Sequence, residues 1–119
     1  MSAEENKAIL QRHAREWTLR DPATIDNLIA TDATFFDWPP GIEGVRQFYL
    51  SEFDAYSDRQ YTIVNPDTDL IAEGDQVVVK LLYHGTRITG EKEVKEGINI
   101  YRFKDGKIQE GWGVWRDKE

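Results

Sequence analysis

Apolar residues up to about Tyr56 recur mostly every three to four positions, with one short alternating stretch from Ala33, and from Gln60 onward every second position. Ser2-Ala3-Glu4-Glu5 has the spacing of a capping box, with Ser2 as N-cap and Glu5 reaching back. It predicts a helix to about Arg20 whose buried stripe is Ile9, Leu10, His13, Ala14 and Trp17. Asp21-Pro22 stops that helix and starts a second, with Ile25, Leu28 and Ile29 inward. Thr31-Asp32 breaks the second helix, and Ala33 to Asp37 predicts a short strand with Ala33, Phe35 and Asp37 on one face. Trp38-Pro39-Pro40-Gly41 predicts a rigid loop. A third helix is predicted over about Ile42 to Tyr56, with Val45, Phe48, Tyr49, Phe53 and Tyr56 inward.

The second half reads as strands. Tyr61 to Val64 and Leu70 to Glu73 predict one long strand interrupted near Asn65-Pro66, and Gly74-Asp75 a turn. Gln76 to Thr86 follows, with Val77, Val79, Leu81 and Tyr83 as its apolar face. Arg87 to Lys92 is a polar connection, and Glu91 to Glu96 reads as a charged strand edge that discourages sheet-to-sheet pairing. Ile98, Ile100 and Arg102 alternate with Asn99, Tyr101 and Phe103 up to Lys104-Asp105-Gly106-Lys107, where Asp-Gly is a hairpin signal. Ile108 to Trp115 returns. Helices first and strands after predict an α+β fold, one domain over residues 1–119, with three helices packed on one face of a curved antiparallel sheet.

Gly111, Gly113 and Trp115 share one face of the return strand. Two glycines there are costly in backbone entropy and pack nothing, so the expectation is that this face opens on a cavity lined by Asn99, Tyr101 and Trp115. Bulges or a sharp bend would also call for them. Asp37 ends its strand among aromatic residues, where an apolar setting raises a carboxylate pKa toward that of a general base; a plain loop cap is the other reading. His13 suits an acid or hydrogen-bond donor, or a satisfied core residue. Asn99 suits a donor to a carbonyl or oxyanion, or a structural amide. On the outer sheet face, Ile100, Trp112 and Val114 form an apolar patch for which a homodimer is the expected cover.

Length and composition narrow the classes. The 119 residues suit one core, and 39% hydrophobic with 31% charged residues is ordinary for a globular protein. A net charge of −7 argues against nucleic acid as a partner. No apolar run reaches the roughly 20 residues of a membrane helix, and the polar start MSAEENK lacks a signal peptide's apolar stretch, so a cytoplasmic location with no membrane partner is expected. Without cysteine there are no thiol nucleophiles or zinc–thiolate sites, and the two histidines lack ligand spacing, so no metal site is expected. The phosphate-cradling glycine loops of nucleotide sites are absent, and no cofactor is expected.

YRFKDGKIQEGWGVW, together with GIEGVRQFY after the Pro-Pro loop, resembles the SnoaL-like polyketide cyclases and ketosteroid isomerase-like proteins of the nuclear-transport-factor superfamily. The resemblance spans nearly the whole chain and implies a cone-shaped α+β barrel. It places Asp37 where the isomerases have their general base. It places His13 where they have a tyrosine that donates to the oxyanion, and Asn99 where they have a protonated aspartic acid. Two of these three positions thus depart from the isomerase residues. Relative to the cyclase-like members, Gly111 stands in place of a frequent histidine and Arg116 in place of a frequent aspartate. The implied function is an enzyme of isomerase or cyclase type that takes a proton next to a carbonyl of a small hydrophobic molecule. Trp17, Phe35, Trp38, Phe53, Tyr101, Phe103, Gly111, Gly113 and Trp115 would surround that molecule. The alternative is a non-catalytic module that binds a small apolar ligand in the same cavity.

Overall fold

The computed structural model describes residues 2–18, 23–35, 41–56 and 58–118, the side chains of residues 17 and 18 excepted. Ser2 and Glu5 close the predicted capping box. The Glu5 amide donates to Ser2 Oγ at 3.1 Å, and the Ser2 amide donates to Glu5 Oε1 at 3.2 Å. Helix α1 runs Ala3–Thr18 and α2 runs Ala23–Leu28. The predicted boundary at Asp21-Pro22 lies outside the described residues. Strand β1 is Ile29–Phe35, four residues earlier than the predicted start. Ile29, expected on the inner face of the second helix, is instead a strand residue beside Ile108, and both are fully buried. Tertiary pairing here overrides a helical spacing that two apolar residues carried. The far end of that strand, with Asp37 and the loop from Trp38, lies outside the described residues.

Helix α3 is Ile42–Ala55 and buries Val45 and Tyr49. Strands β2 (Gln60–Thr62) and β3 (Leu70–Glu73) are the two halves of the interrupted strand, and both pair antiparallel with β4 (Gln76–Thr86). β5 (Lys92–Lys104) and β6 (Lys107–Asp117) complete a curved, unclosed six-stranded sheet in the order β1-β6-β5-β4-β2, with β3 also on β4. The hairpin turn carries positive φ at both Asp105 (52°) and Gly106 (80°), the backbone that an Asp-Gly pair permits. One pair breaks the expected antiparallel pattern: β1 runs parallel to β6, which the long connection through α3 and four strands permits.

α1 packs against β2, β3 and β4, and α3 packs against β1. The core between helices and sheet includes Leu10, Ile25, Phe35, Val45, Val77, Val79 and Ile108. Among the described residues no helix is long and apolar enough to cross a membrane.

Candidate active site

Between α1, α3 and the concave face of the sheet lies a cavity of about 200 Å³. α1 contributes Leu10, His13 and Ala14, α3 contributes Phe48, Tyr49 and Glu52, and β1 contributes Phe35. The floor comes from β4 and β5 through Leu81, Tyr83, Lys95, Asn99 and Tyr101, with Trp115 from β6. Tyr56, Arg59 and Tyr61 line it where the chain passes from α3 to β2.

The concave face of β5–β6 is built from unequal pairs. Gly97 lies opposite Trp115, Gly113 opposite Asn99 and Gly111 opposite Tyr101. A Cβ added to Gly97 would overlap the Trp115 indole, and one added to Gly113 would overlap the Asn99 amide. A Cβ on Gly111 would lie 3.0 Å from the Tyr101 ring. The glycines do make space, as expected, but it is filled by the facing side chains, which lie down across the neighbouring strand. A bulge is present as well, between Arg102 and Phe103.

Asn99 organises the polar floor. It is 1% exposed, and its Nδ2 donates to the Tyr83 hydroxyl at 2.7 Å and to the Tyr101 hydroxyl at 3.0 Å. Trp115 Nε1 also donates to the Tyr83 oxygen, at 2.7 Å. Tyr83 therefore accepts two N–H groups and keeps its own proton to donate; Tyr101 accepts one and keeps its proton too. Neither phenol donates to a described residue. Burial pushes the Tyr83 phenol up to about 12, against the two N–H groups, which favour its ionised form. Burial likewise raises Tyr101, so both remain protonated donors at neutral pH.

His13 is 7% exposed, and burial lowers its pKa to about 4, so it is neutral at physiological pH. Its Nε2 is 2.8 Å from the Tyr49 hydroxyl and its Nδ1 is 3.3 Å from Thr24 Oγ1. In the neutral ring one nitrogen donates and the other accepts, so His13 orients the Tyr49 phenol, which also lines the cavity.

An ion pair between a buried arginine and a half-buried glutamate sits where α3 meets β2. Arg59, 7% exposed, has Nη2 at 3.7 Å from Glu52 Oε1. Its guanidinium stacks 4.2 Å from the centre of the Tyr56 ring. Burial raises the Glu52 pKa, and Arg59 opposes that. Glu52 is the one carboxylate among the described residues that lines the cavity.

Of the residues picked out by sequence, His13, Phe35, Asn99, Tyr101 and Trp115 meet around the cavity. Phe53 is half-buried on α3 beside the core, and Phe103 is buried within it. Gly111 and Gly113 lie beneath Tyr101 and Asn99. Asp37, Trp38 and the Trp17 side chain lie outside the described residues. Sequence reasoning missed Tyr83, Glu52 and Arg59 as functional groups. Tyr83 is in phase with the apolar Val77, Val79 and Leu81, and its polar oxygen on that face is the signal that sets it apart. Glu52 is a carboxylate one turn from both Phe48 and Tyr56 on the inward face of a helix, the same kind of signal. Arg59 stands in an irregular segment where periodicity carries no information.

Residues 10–111 match the model of the SnoaL-like domain. The chain belongs to the SnoaL-like family. Its fold agrees with solved structures at low identity. TsrD from Streptomyces laurentii superposes with a TM-score of 0.84 at 18% identity, over 97% of this chain and 90% of that one. A SnoaL-like polyketide cyclase from Agrobacterium tumefaciens gives 0.82 at 14%, over 98% and 93%. A protein from Catenulispora acidiphila with a ketosteroid isomerase-like fold, solved with trimethylamine, gives 0.78 at 18%, over 89% and 83%. At these identities the likeness of this SnoaL-like domain to the three is one of fold. No curated protein matches the sequence.

Proposed function

We propose that this SnoaL-like domain is an enzyme of isomerase or cyclase type that removes a proton next to a carbonyl of a small hydrophobic substrate in the cavity. The observation that carries the reading is the pair of phenols, Tyr83 and Tyr101, held by one amide and each keeping a proton to donate. Abstraction of an α-proton moves negative charge onto the carbonyl oxygen, and donors fixed in advance stabilise it without reorganising. The Tyr83 oxygen already accepts two N–H bonds, which polarises its own O–H and strengthens it as a donor.

Asp37, two residues beyond Phe35 in the sequence, is the base in this reading. Asn99 and His13 act through the phenols they hold, Asn99 on Tyr83 and Tyr101, and His13 on Tyr49. Phe35 and Trp115 supply walls for the carbon skeleton. No cofactor is needed for a proton transfer of this kind.

The test is hydrogen–deuterium exchange, followed by NMR, at carbons next to the carbonyl of a panel of hydrophobic ketones. The wild-type chain accelerates exchange and Asp37→Asn does not. The same cavity used for binding alone is the second reading. It is favoured by the pairing of Glu52, the cavity's described carboxylate, with Arg59 rather than with an empty position for a substrate proton. Ketones that bind without exchanging would decide for it.

The outer face carries a separate proposal, a homodimer. Ile98, Trp112 and Val114 are 53%, 55% and 65% exposed on adjoining positions of β5 and β6. A two-fold contact between copies would cover them.

A further inference from the structure

Arg59 is the feature that proton abstraction leaves unused. It is more than nine-tenths buried and lines the cavity, yet its Nε and Nη1 have no hydrogen-bond partner among the described residues. Its Nη2 faces Glu52 at 3.7 Å, beyond hydrogen-bond length, and the Tyr61 phenol bonds to the same ion pair. Leaving donors of a buried guanidinium unmatched is costly, and hydrogen bonds between a guanidinium and an anion are among the strongest available. The side chain is held in place from both sides. The Tyr56 ring lies 4.2 Å away, and Gly85 lies beneath, where an added Cβ would come within 3.2 Å of the Arg59 Cδ. A second cation, Lys95, also lines the cavity and is 3.6 Å from Glu93.

We infer that the cavity's ligand carries a carboxylate and that Arg59 is the group that receives it. This deepens the reading above by making the substrate a carbonyl compound that is also an acid. The aromatic lining takes its apolar part, and the guanidinium takes its charge. Glu52 then competes with the ligand for Arg59: it neutralises the cation when the cavity is empty and repels a second carboxylate when one enters.

The test uses two probes of nearly one shape, 1-naphthoate and 1-naphthamide, titrated into the full chain at pH 7 and followed by NMR. Naphthoate binds roughly tenfold tighter than the amide, since only it pairs with the guanidinium. Arg59→Met erases that preference and Arg59→Lys keeps part of it. Glu52→Gln removes the competing charge and tightens naphthoate several-fold while leaving naphthamide unchanged, so the inference stays testable even where an Arg59 variant fails to fold. Equal affinities for the two probes, binding of neither at millimolar concentration, or a Glu52→Gln variant with unchanged naphthoate affinity overturns it. Exchange on neutral ketones is read separately. A protein that exchanges them through Asp37 yet shows no preference for naphthoate refutes this inference alone.

Discussion

The two faces of the β5–β6 hairpin obey opposite rules. On the concave face, between residues 97 and 101 of β5, each large side chain is set against a glycine: Trp115 on Gly97, Asn99 on Gly113, Tyr101 on Gly111; only past the register shift does Phe103 meet Ile108. On the convex face large meets large, Ile98 against Val114 and Ile100 against Trp112. Strand alternation sends neighbours in the sequence to these two faces, so one stretch of chain serves both. The inner rule lays polar side chains flat, fixes their hydrogen bonds and keeps a cavity above them. The outer rule gives a broad apolar surface suited to contact. The inner residues are therefore coupled to one another through fixed geometry, whereas the outer ones act through area.

The sharpest way to break this contrast is to place the same side chain on each face. Gly113→Leu drives carbon into the Asn99 amide and is expected to destabilise the fold by about 3 kcal/mol and to abolish ligand binding. Val114→Leu, one residue on and 65% exposed, is expected to change stability by less than about 0.5 kcal/mol. Urea denaturation of the two variants measures both effects, and similar losses would end the distinction.

The next effect is one of pH. The buried lining holds His13 neutral, with its pKa at about 4 against 6.5 in the unfolded chain. Between those values the unfolded chain binds a proton that the folded chain does not. Stability is therefore lost as pH falls from 6.5 toward 4, by about 3 kcal/mol at the lower end. A His13→Gln variant should lack this part of the acid sensitivity. Parallel stability curves for the two proteins over that window would show that His13 titrates normally. The smallest effect on the fold is expected from the outer face. Trp112→Lys should leave stability within about 0.5 kcal/mol and α-carbon exchange intact, while sedimentation shifts from dimer to monomer. A wild-type chain that sediments as a monomer removes the dimer.

Much of this contrast was legible beforehand because it rests on local pattern. The two-residue period placed Ile98, Ile100 and Arg102 opposite Asn99, Tyr101 and Phe103, and Asp105-Gly106 marked the turn that sets their register. Ser2 and Glu5 announced the first helix. What stayed hidden depends on contacts between distant parts of the chain. The parallel pairing of β1 with β6 joins residues almost eighty positions apart, and it drew Ile29 out of a helix that its spacing suggested. Tyr83 is in step with a hydrophobic stripe, and periodicity registers its ring without its oxygen. Only the register of β4 on β5 and of β5 on β6 brings Asn99 and Trp115 to that oxygen. Arg59 lies in an irregular connection, where burial is decided by what packs around it.

In this reading the phenol held by Asn99 and Trp115 stabilises the enolate oxygen. The direct measurement is the α-carbon exchange rate of a ketone that the wild-type chain turns over, compared with Tyr83→Phe. That variant keeps the ring and removes only the hydroxyl. The rate in Tyr83→Phe is expected to be lower by about 10²–10³-fold, with ketone affinity changed far less. An unchanged exchange rate in Tyr83→Phe would contradict it.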